Sequence, residues 1–266
     1  MAFVEIEPDV SLYYTEIGQG QNVLYLHGVL GSSQYFFPQQ NDPIVGLHSV
    51  FIDFRGHGQS SDPKRGHSVS QYALDVARVI DGLDLSPVVL IGWSMGALVA
   101  CEYLSIFGTA KIRGLVVVDQ SPSDFAYPGW PYGTITVPNL RKIQERILHN
   151  PKQQASDNAS AIFHQPTALQ TTTAMAEFLR VRSNTAYSIF TDQTFRDYRQ
   201  KITEFDVPVQ LCFGQDPAVV SPEAGVFMAK TLAKAQLALF DQSSHCPFWE
   251  EPDRFAEVLT AFVASL

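Results

Sequence analysis

The chain is poor in positive charge. Eighteen Lys and Arg stand against 27 Asp and Glu in 266 residues, a formal net charge of −9. Binding to nucleic acid rewards clustered cations that displace counterions from phosphate, and the sequence holds no such cluster. The pair Arg141-Lys142 reads as a solvated helix face. Cysteine is scarce as well. Cys101, Cys212 and Cys246 are odd in number and widely spaced, which fits neither a disulfide framework nor a zinc knuckle. Cys101 and Cys212 lie in apolar segments and are expected to be buried as small hydrophobes. Long apolar runs are also missing. The longest, such as the one ending at Ile91, are strand-sized and far short of the ~20 residues of a membrane-spanning helix. The opening MAFVEIEPDV carries acids early and no basic stretch, which argues against a secretory leader. These absences predict a cytoplasmic protein with no membrane span and no nucleic-acid partner.

A 45% hydrophobic content supplies one well-buried core. Residues 3–17 alternate and then turn at Gly18-Gln19-Gly20, as a pair of edge strands would. Val23–Leu26, Ser49–Asp53, Val88–Ile91 and Gly114–Val118 are short, continuously apolar runs, the pattern of central parallel strands buried on both faces. Helical patterns lie between them. Ser70 is a candidate cap for a helix with Ala73, Val76, Ala77 and Ile80 on its apolar stripe. The stretch from Ser94 to Phe107 is apolar nearly all round. The alternation returns with strands at 209–213 and 237–240 and helices at 222–232 and 253–265. An α/β layer fold with helices on both faces follows. Between 122 and 186 the alternation breaks. Pro122, Phe125, Tyr127, Pro128, Trp130, Pro131 and Tyr132 come first, and helical pieces follow near Leu140–Leu148 and Ala174–Val181. A structureless loop of that length is unusual. The expected division is therefore a core of 1–121 and 187–266 with a helical cap of 122–186 inserted in it.

Gly92-Trp93-Ser94-Met95-Gly96 stands between a predicted strand and a predicted helix. Small residues at both Gly positions allow helix and strand backbones to pass closely, and the tight turn lifts the serine hydroxyl clear of the sheet. The helix N-terminus offers unpaired N–H groups to a developing oxyanion. Ser94 is thus the candidate nucleophile. A serine hydroxyl needs a base, and the base an orienting acid. Of seven histidines, His245 follows the last strand and precedes the final helix, which brings it to the same sheet edge as Ser94. His27 and His57 adjoin glycines and read as hydrogen-bonded loop residues; His149 and His164 fall in the cap. Asp216, after the strand at 209–213, is the favoured acid. Asp119, directly after the strand ending at Val118, is the rival. The oxyanion donors are expected to be the backbone N–H groups of Met95 and Val29, with Leu30 the alternative to Val29. Trp93, Trp130, Phe163, Met175, Phe178 and Phe248, with Met95 and Trp249 beside them, are candidates for an apolar pocket wall or the seam between cap and core.

These landmarks resemble the α/β-hydrolase superfamily. His27-Gly28 looks like its oxyanion loop, and Asp53-Phe54-Arg55-Gly56-His57-Gly58-Gln59-Ser60 like its D-x-R-G-x-G-x-S stretch. Residues 92–96 look like its nucleophile elbow. Ser244-His245-Cys246-Pro247, with Glu251-Pro252 and Phe255, looks like its histidine motif. The resemblance covers roughly residues 20–121 and 205–265, and is nearest in tone to small bacterial carboxylesterases and cofactor-free haloperoxidase-like perhydrolases. It implies an α/β-hydrolase fold and cleavage of carboxylic esters of small to medium hydrophobic substrates through an acyl-enzyme, with no metal or organic cofactor. Lactone opening, perhydrolysis or carbon–carbon bond hydrolysis by the same triad are the alternatives, and a non-catalytic binding protein a further one. One departure bears on the acid. The family often has G-x-x-D there, whereas Gly214-Gln215-Asp216 is one residue shorter, which keeps Asp119 open. Serine at the nucleophile position argues against the dehalogenases and epoxide hydrolases of the superfamily, which use Asp.

Overall fold

The structure, a computed structural model, describes residues 2–266. Eight strands form one sheet: β1 (Ala2–Glu7), β2 (Val10–Gly18), β3 (Gln21–Leu26), β4 (Leu47–Ile52), β5 (Val88–Trp93), β6 (Ile112–Val118), β7 (Val209–Gly214) and β8 (Ala235–Phe240). Their spatial order is β1-β2-β4-β3-β5-β6-β7-β8. The β1–β2 and β2–β4 pairings are antiparallel and all others parallel. β1 alone of the first pair lies at the edge; β2 is covered by β4.

The continuous apolar runs become central strands because both faces are covered. Side chains alternate across a strand, and successive residues feed two separate cores. Leu24, Leu26, Leu90 and Val117 pack with α2 (Val69–Gly82), α3 (Met95–Phe107) and α8 (Pro222–Thr231). Val23, Tyr25, Val89, Ile91 and Val116 pack on the other face with Phe255, Leu259 and Phe262 of α10 (Pro252–Ala264). α3 is buried over most of its surface, which explains its lack of a polar face. The cap of α2 is Ser68, not Ser70. Ser68 has extended backbone and its hydroxyl accepts the Gln71 N–H at 3.2 Å, whereas Ser70 sits inside the helix and donates to Glu102. All three cysteines are buried and free.

Four helices occupy the interval between β6 and β7: α4 (Val137–His149), α5 (Pro151–Ala161), α6 (Ala168–Arg180) and α7 (Ser183–Thr194). The boundary expected at residue 186 falls within α7. α7 is also tied to the core: Asp192 accepts the Val69 N–H at 2.8 Å, and Arg196, which pairs with Asp192 at 2.7 Å, reaches Glu102 at 3.4 Å. Two short α-helices, α1 (Phe37–Asn41) and α9 (Pro247–Glu250), and 3-10 turns at Ser33–Phe36 and Lys201–Glu204 make up the remaining helical elements described. Among the described residues no helix is long and apolar enough to cross a membrane.

In this strand order β3 is flanked by β4 on one side and β5 on the other. The chain reverses its direction of growth there, and such a switch point leaves a crevice beyond the carboxyl ends of the strands. The loops after β3, β5 and β6 all open at that end.

Candidate active site

Ser94 joins β5 to α3 with φ 53° and ψ −125°, a conformation costly for any residue with a Cβ. It is held on both sides: Ser94 N–H donates to the Val118 carbonyl at 3.1 Å, and its own carbonyl accepts Ala97 N–H at 2.8 Å. A Cβ at Gly92 would collide with the Ala97 backbone, and one at Gly96 with the Leu26 carbonyl. The elbow therefore needs both glycines, because α3 starts against β3 and β5 with no room for side chains. The Oγ-bearing residue keeps 8% of its surface open.

His245 lies in the loop between β8 and α9. Its Nδ1 is 2.7 Å from Oδ2 of Asp119, and both side chains are almost wholly buried. Asp119 immediately follows β6 in a left-handed conformation, φ 45°, which aspartate tolerates better than most residues. Its second oxygen, Oδ1, accepts the Gly214 N–H at 3.1 Å, and its own N–H donates to the Cys212 carbonyl at 2.8 Å. Burial pushes the Asp119 carboxyl above the usual carboxylate range, while the His245 and Gly214 hydrogen bonds pull against that rise. The His245 loop has three further supports. Its carbonyl accepts Trp93 Nε1–H at 2.7 Å, its N–H donates to Ile162 at 3.1 Å, and Glu250 accepts the N–H groups of Ser244 and Cys246 at 3.0 and 3.2 Å.

The expected pairing of Asp216 with His245 is corrected by this geometry. Asp216 lies beyond β7, with its N–H on the Ser243 carbonyl at 3.1 Å, and its carboxylate meets His164 Nδ1 at 2.9 Å on a half-exposed surface. The register explains the difference. Trp93 pairs with Val118 across β5 and β6, so the residues after them, Ser94 and Asp119, leave the sheet side by side. The short Gly214-Gln215-Asp216 turn sends its acid outward instead. Glu250, which braces the histidine loop, is the positioning residue that reading of the sequence missed; its place just before Glu251-Pro252 was the only signal.

The loop after β3 passes against the elbow: a Cβ at Gly28 would lie 3.0 Å from Ser94 Cβ. Leu30 takes φ 57°, and Gly31 N–H closes the turn on the Gly28 carbonyl at 3.2 Å. Among the described residues neither the Val29 nor the Met95 N–H has a protein hydrogen-bond partner. His27 is buried beneath. Its Nε2 accepts the Phe54 N–H at 3.0 Å, which leaves Nδ1–H to donate to the Gly28 carbonyl at 2.7 Å. Burial holds its pKa down at about 4. His57 has Nδ1 3.1 Å from the Arg55 carbonyl, and burial pushes it down to about 3. Both are loop residues, as expected. Asp53 accepts the N–H groups of Ser33 and Gln59 at 2.7 and 2.8 Å, and so joins the two loops.

Ser94 and His245 open onto one cavity of about 200 Å³ under α4, α5 and α7. Of the six aromatic and methionine side chains expected on its wall, Trp93 is there. The other five are elsewhere. Trp130 stacks edge-on to Tyr132 and Phe227 at 5.0 and 5.1 Å, and Phe163 to Trp249 at 5.6 Å. Phe248 is fully buried against Phe36, 4.8 Å away. Phe178 and Met175 pack in the core clusters. Large apolar side chains gain most from full burial, so they went to the seams. The actual wall is mixed. Tyr35, Tyr132, Ile143, Ile162, Phe190 and Val220 supply the apolar part, and Gln120, Ser121, Asp124, Gln154, Asn158 and Gln193 the polar part. Among the described residues, no group of three or more His, Cys, Asp or Glu side chains is placed to hold a metal ion.

Comparison with known proteins follows the same lines. The chain is 26% identical to a non-heme chloroperoxidase of Kitasatospora aureofaciens, over 89% of each chain. An esterase of Exiguobacterium antarcticum superposes with a TM-score of 0.93 at 24% identity, covering 98% of both chains. An esterase of Rhodococcus sp. ECU1013 is 25% identical, with a TM-score of 0.87, and covers 100% of this chain and 98% of its own. The model of the alpha/beta hydrolase family matches residues 23–258, spanning the strands and loops just described, and the chain belongs to that family of hydrolases.

Proposed function

We propose that the protein is a serine esterase working through an acyl-enzyme. The observation that carries the reading is the buried Asp119–His245 hydrogen bond of 2.7 Å behind a cavity lined by both His245 and Ser94. An enclosed carboxylate on Nδ1 fixes the tautomer with its proton there and leaves Nε2 free to act as a base. His245 then takes the Ser94 hydroxyl proton as Oγ attacks the ester carbonyl carbon. The carbonyl oxygen becomes an oxyanion, for which the Val29 and Met95 N–H groups are the donors. The C–O bond to the alcohol breaks, His245 protonates the departing oxygen, and Ser94 carries the acyl group. Water attacks that ester with His245 again as base and releases a carboxylic acid and free Ser94. The strained backbone at Ser94 supports the reading, since such strain persists where the surroundings hold a group in place for chemistry. α4, α5 and α7 serve as the cap over the site, excluding water and shaping the substrate.

The test is intact-mass measurement after treatment with a fluorophosphonate. One adduct is expected, lost in Ser94→Ala and strongly reduced in His245→Ala. Wild-type protein that stays unlabelled while small esters also resist hydrolysis would sink the proposal. The chloroperoxidase relative favours a second reading for the same residues. Hydrogen peroxide would replace water at the acyl-enzyme and release a peracid, which oxidises halide. Bromination that requires both a short carboxylic acid and peroxide, and that Ser94→Ala abolishes, is its mark.

A further inference from the structure

One wall of the cavity carries hydrogen-bond acceptors for which acyl transfer has no use. Asp124 stands in the loop beyond Asp119, pinned by the Thr134 and Ile135 N–H groups on its carbonyl at 2.9 and 3.0 Å. Its carboxylate accepts Gln120 Nε2 at 2.6 Å and Gln193 Nε2, more loosely, at 3.4 Å. Among the described residues no Lys or Arg lines the cavity to neutralise it. The Gln193 amide nitrogen is committed to that carboxylate, so the opposite end of the amide must be its carbonyl oxygen. That oxygen, Oε1, is buried without a partner on a side chain only 5% exposed. Gln154, on α5, also lines the cavity and also has a buried, unpartnered Oε1. α5, α7 and the loop after β6 thus each contribute a residue with hydrogen-bonding capacity left over to the lining of one cavity, one of them a carboxylate.

Resting on the reading of Ser94 as an esterase nucleophile, we infer that Asp124, Gln193 and Gln154 form a subsite for a hydrogen-bond-donating group of the substrate, a hydroxyl or an ammonium. A buried acceptor left unpaired loses the full cost of its desolvation. Water fills such a space in the free protein. An alkyl or ether group that displaces the water strands the acceptors, and a carboxylate is repelled by Asp124. A hydroxyl or ammonium restores the lost bonds. Sites that pair a substrate hydroxyl reject analogues lacking it far more sharply than apolar pockets reject a change in size. Asp124 lines the cavity and is only partly buried, while the protein around its carboxyl raises it to about 6 by desolvation; at neutral pH it is still mainly the acceptor form. The favoured substrates are therefore short esters bearing a donor group, rather than the purely hydrophobic esters expected from the sequence.

The experiment measures kcat/KM for methyl hexanoate and for its analogues carrying a hydroxyl, an ammonium or a methoxy group at the third or the terminal carbon. The acetate monoester of butanediol and its methyl ether probe the alcohol side. At least one hydroxyl or ammonium ester is expected to exceed its methoxy partner by about ten-fold or more. In Gln193→Met and in Gln154→Met that ratio is expected to fall below about three-fold, and Asp124→Asn is expected to cut the ammonium ratio more than the hydroxyl ratio. The variants act on different helices and a loop, so misfolding of one, seen by thermal melting, leaves the others to decide. Ser94-dependent hydrolysis of methyl hexanoate with no donor-bearing ester favoured overturns the subsite, as does a preference that survives in every folded variant. Absence of both turnover and fluorophosphonate labelling overturns the esterase reading itself, and the subsite falls with it.

Discussion

Replacing Asp119 by Asn separates the two candidate acids, because the structure dictates how the new amide must sit. Asp119 Oδ1 accepts the Gly214 N–H at 3.1 Å, and Oδ2 faces His245 Nδ1 at 2.7 Å. Asn has one acceptor and one donor end. If its oxygen stays on Gly214, its NH₂ faces Nδ1, which must then be unprotonated, and the ring proton moves to Nε2, where it blocks removal of the Ser94 proton. The flipped amide would set NH₂ against the Gly214 N–H, two donors in contact with no acceptor. The first arrangement wins, and the imidazole is held in the wrong tautomer. Wrong-tautomer substitutions of this kind cost about 1,000- to 10,000-fold in kcat, equivalent to about 4–5.5 kcal/mol of barrier. Folding is expected to survive, since the change removes a carboxyl whose ionised form burial already disfavours. Asp216→Asn touches only a half-exposed contact with His164 and is expected to stay within about three-fold of wild type, as exposed pairs contribute under ~1 kcal/mol. The assay is kcat/KM on a 4-nitrophenyl ester, with thermal melting to confirm folding. Asp119→Asn within ten-fold of wild type, or Asp216→Asn down by hundreds, would refute the assignment. As an internal check, Asp119→Asn in a Ser94→Ala background is expected to lower activity no further, because the residues act as a unit.

Three further outcomes follow from other parts of the molecule. His57 stays neutral in the fold, with a pKa near 3, while the unfolded chain takes up its proton near the ordinary value of about 6.5. Its contribution to stability is therefore full above pH 6.5 and is lost as pH falls toward the folded value. Urea unfolding is expected to show wild type losing about 2 kcal/mol more than His57→Asn between pH 7 and pH 5, and equal losses would overturn the assignment of a neutral buried ring. Arg55 is fully buried with Nε and Nη2 each 2.5 Å from a carboxylate oxygen of buried Asp75; Arg55→Met is expected to destabilise by about 3–5 kcal/mol in denaturant, because the buried Asp75 then keeps only the Gln71 amide at 3.0 Å and Arg78 at 4.0 Å. Gly96→Ala sets a methyl on the Leu26 carbonyl, and is expected to abolish fluorophosphonate labelling and to lower the melting temperature by several degrees.

Much of this was legible in one dimension because it depends on local pattern. Apolar runs of strand length, separated by helical stripes, are what a sheet buried on both faces requires, and β3 to β8 lie where those runs lie. The elbow was legible because its glycines answer a local steric need, and His245 because its motif falls between the last strand and the last helix. Besides the acid, three pieces were not. The cap of α2 depends on which of two nearby serines adopts extended backbone. The extent of the helical insert depends on α7 docking on Val69 and Glu102. The cavity wall depends on which aromatic side chains find full burial; Phe163, Phe178 and Phe248 do, so glutamines and an aspartate face the cavity instead.

The acid shows the division most clearly. The sequence by itself determined that a serine, a histidine and one of two aspartates end on the same edge of a parallel sheet, since each follows a strand running the same way. Which aspartate meets the histidine was settled by the tertiary structure. The β5–β6 register sets Asp119 beside Ser94, its left-handed backbone turns the carboxylate toward His245, and the Gly214 N–H from the neighbouring strand fixes its second oxygen. None of those three constraints is a property of the residues around Asp119 in the chain; each comes from a strand brought alongside by folding.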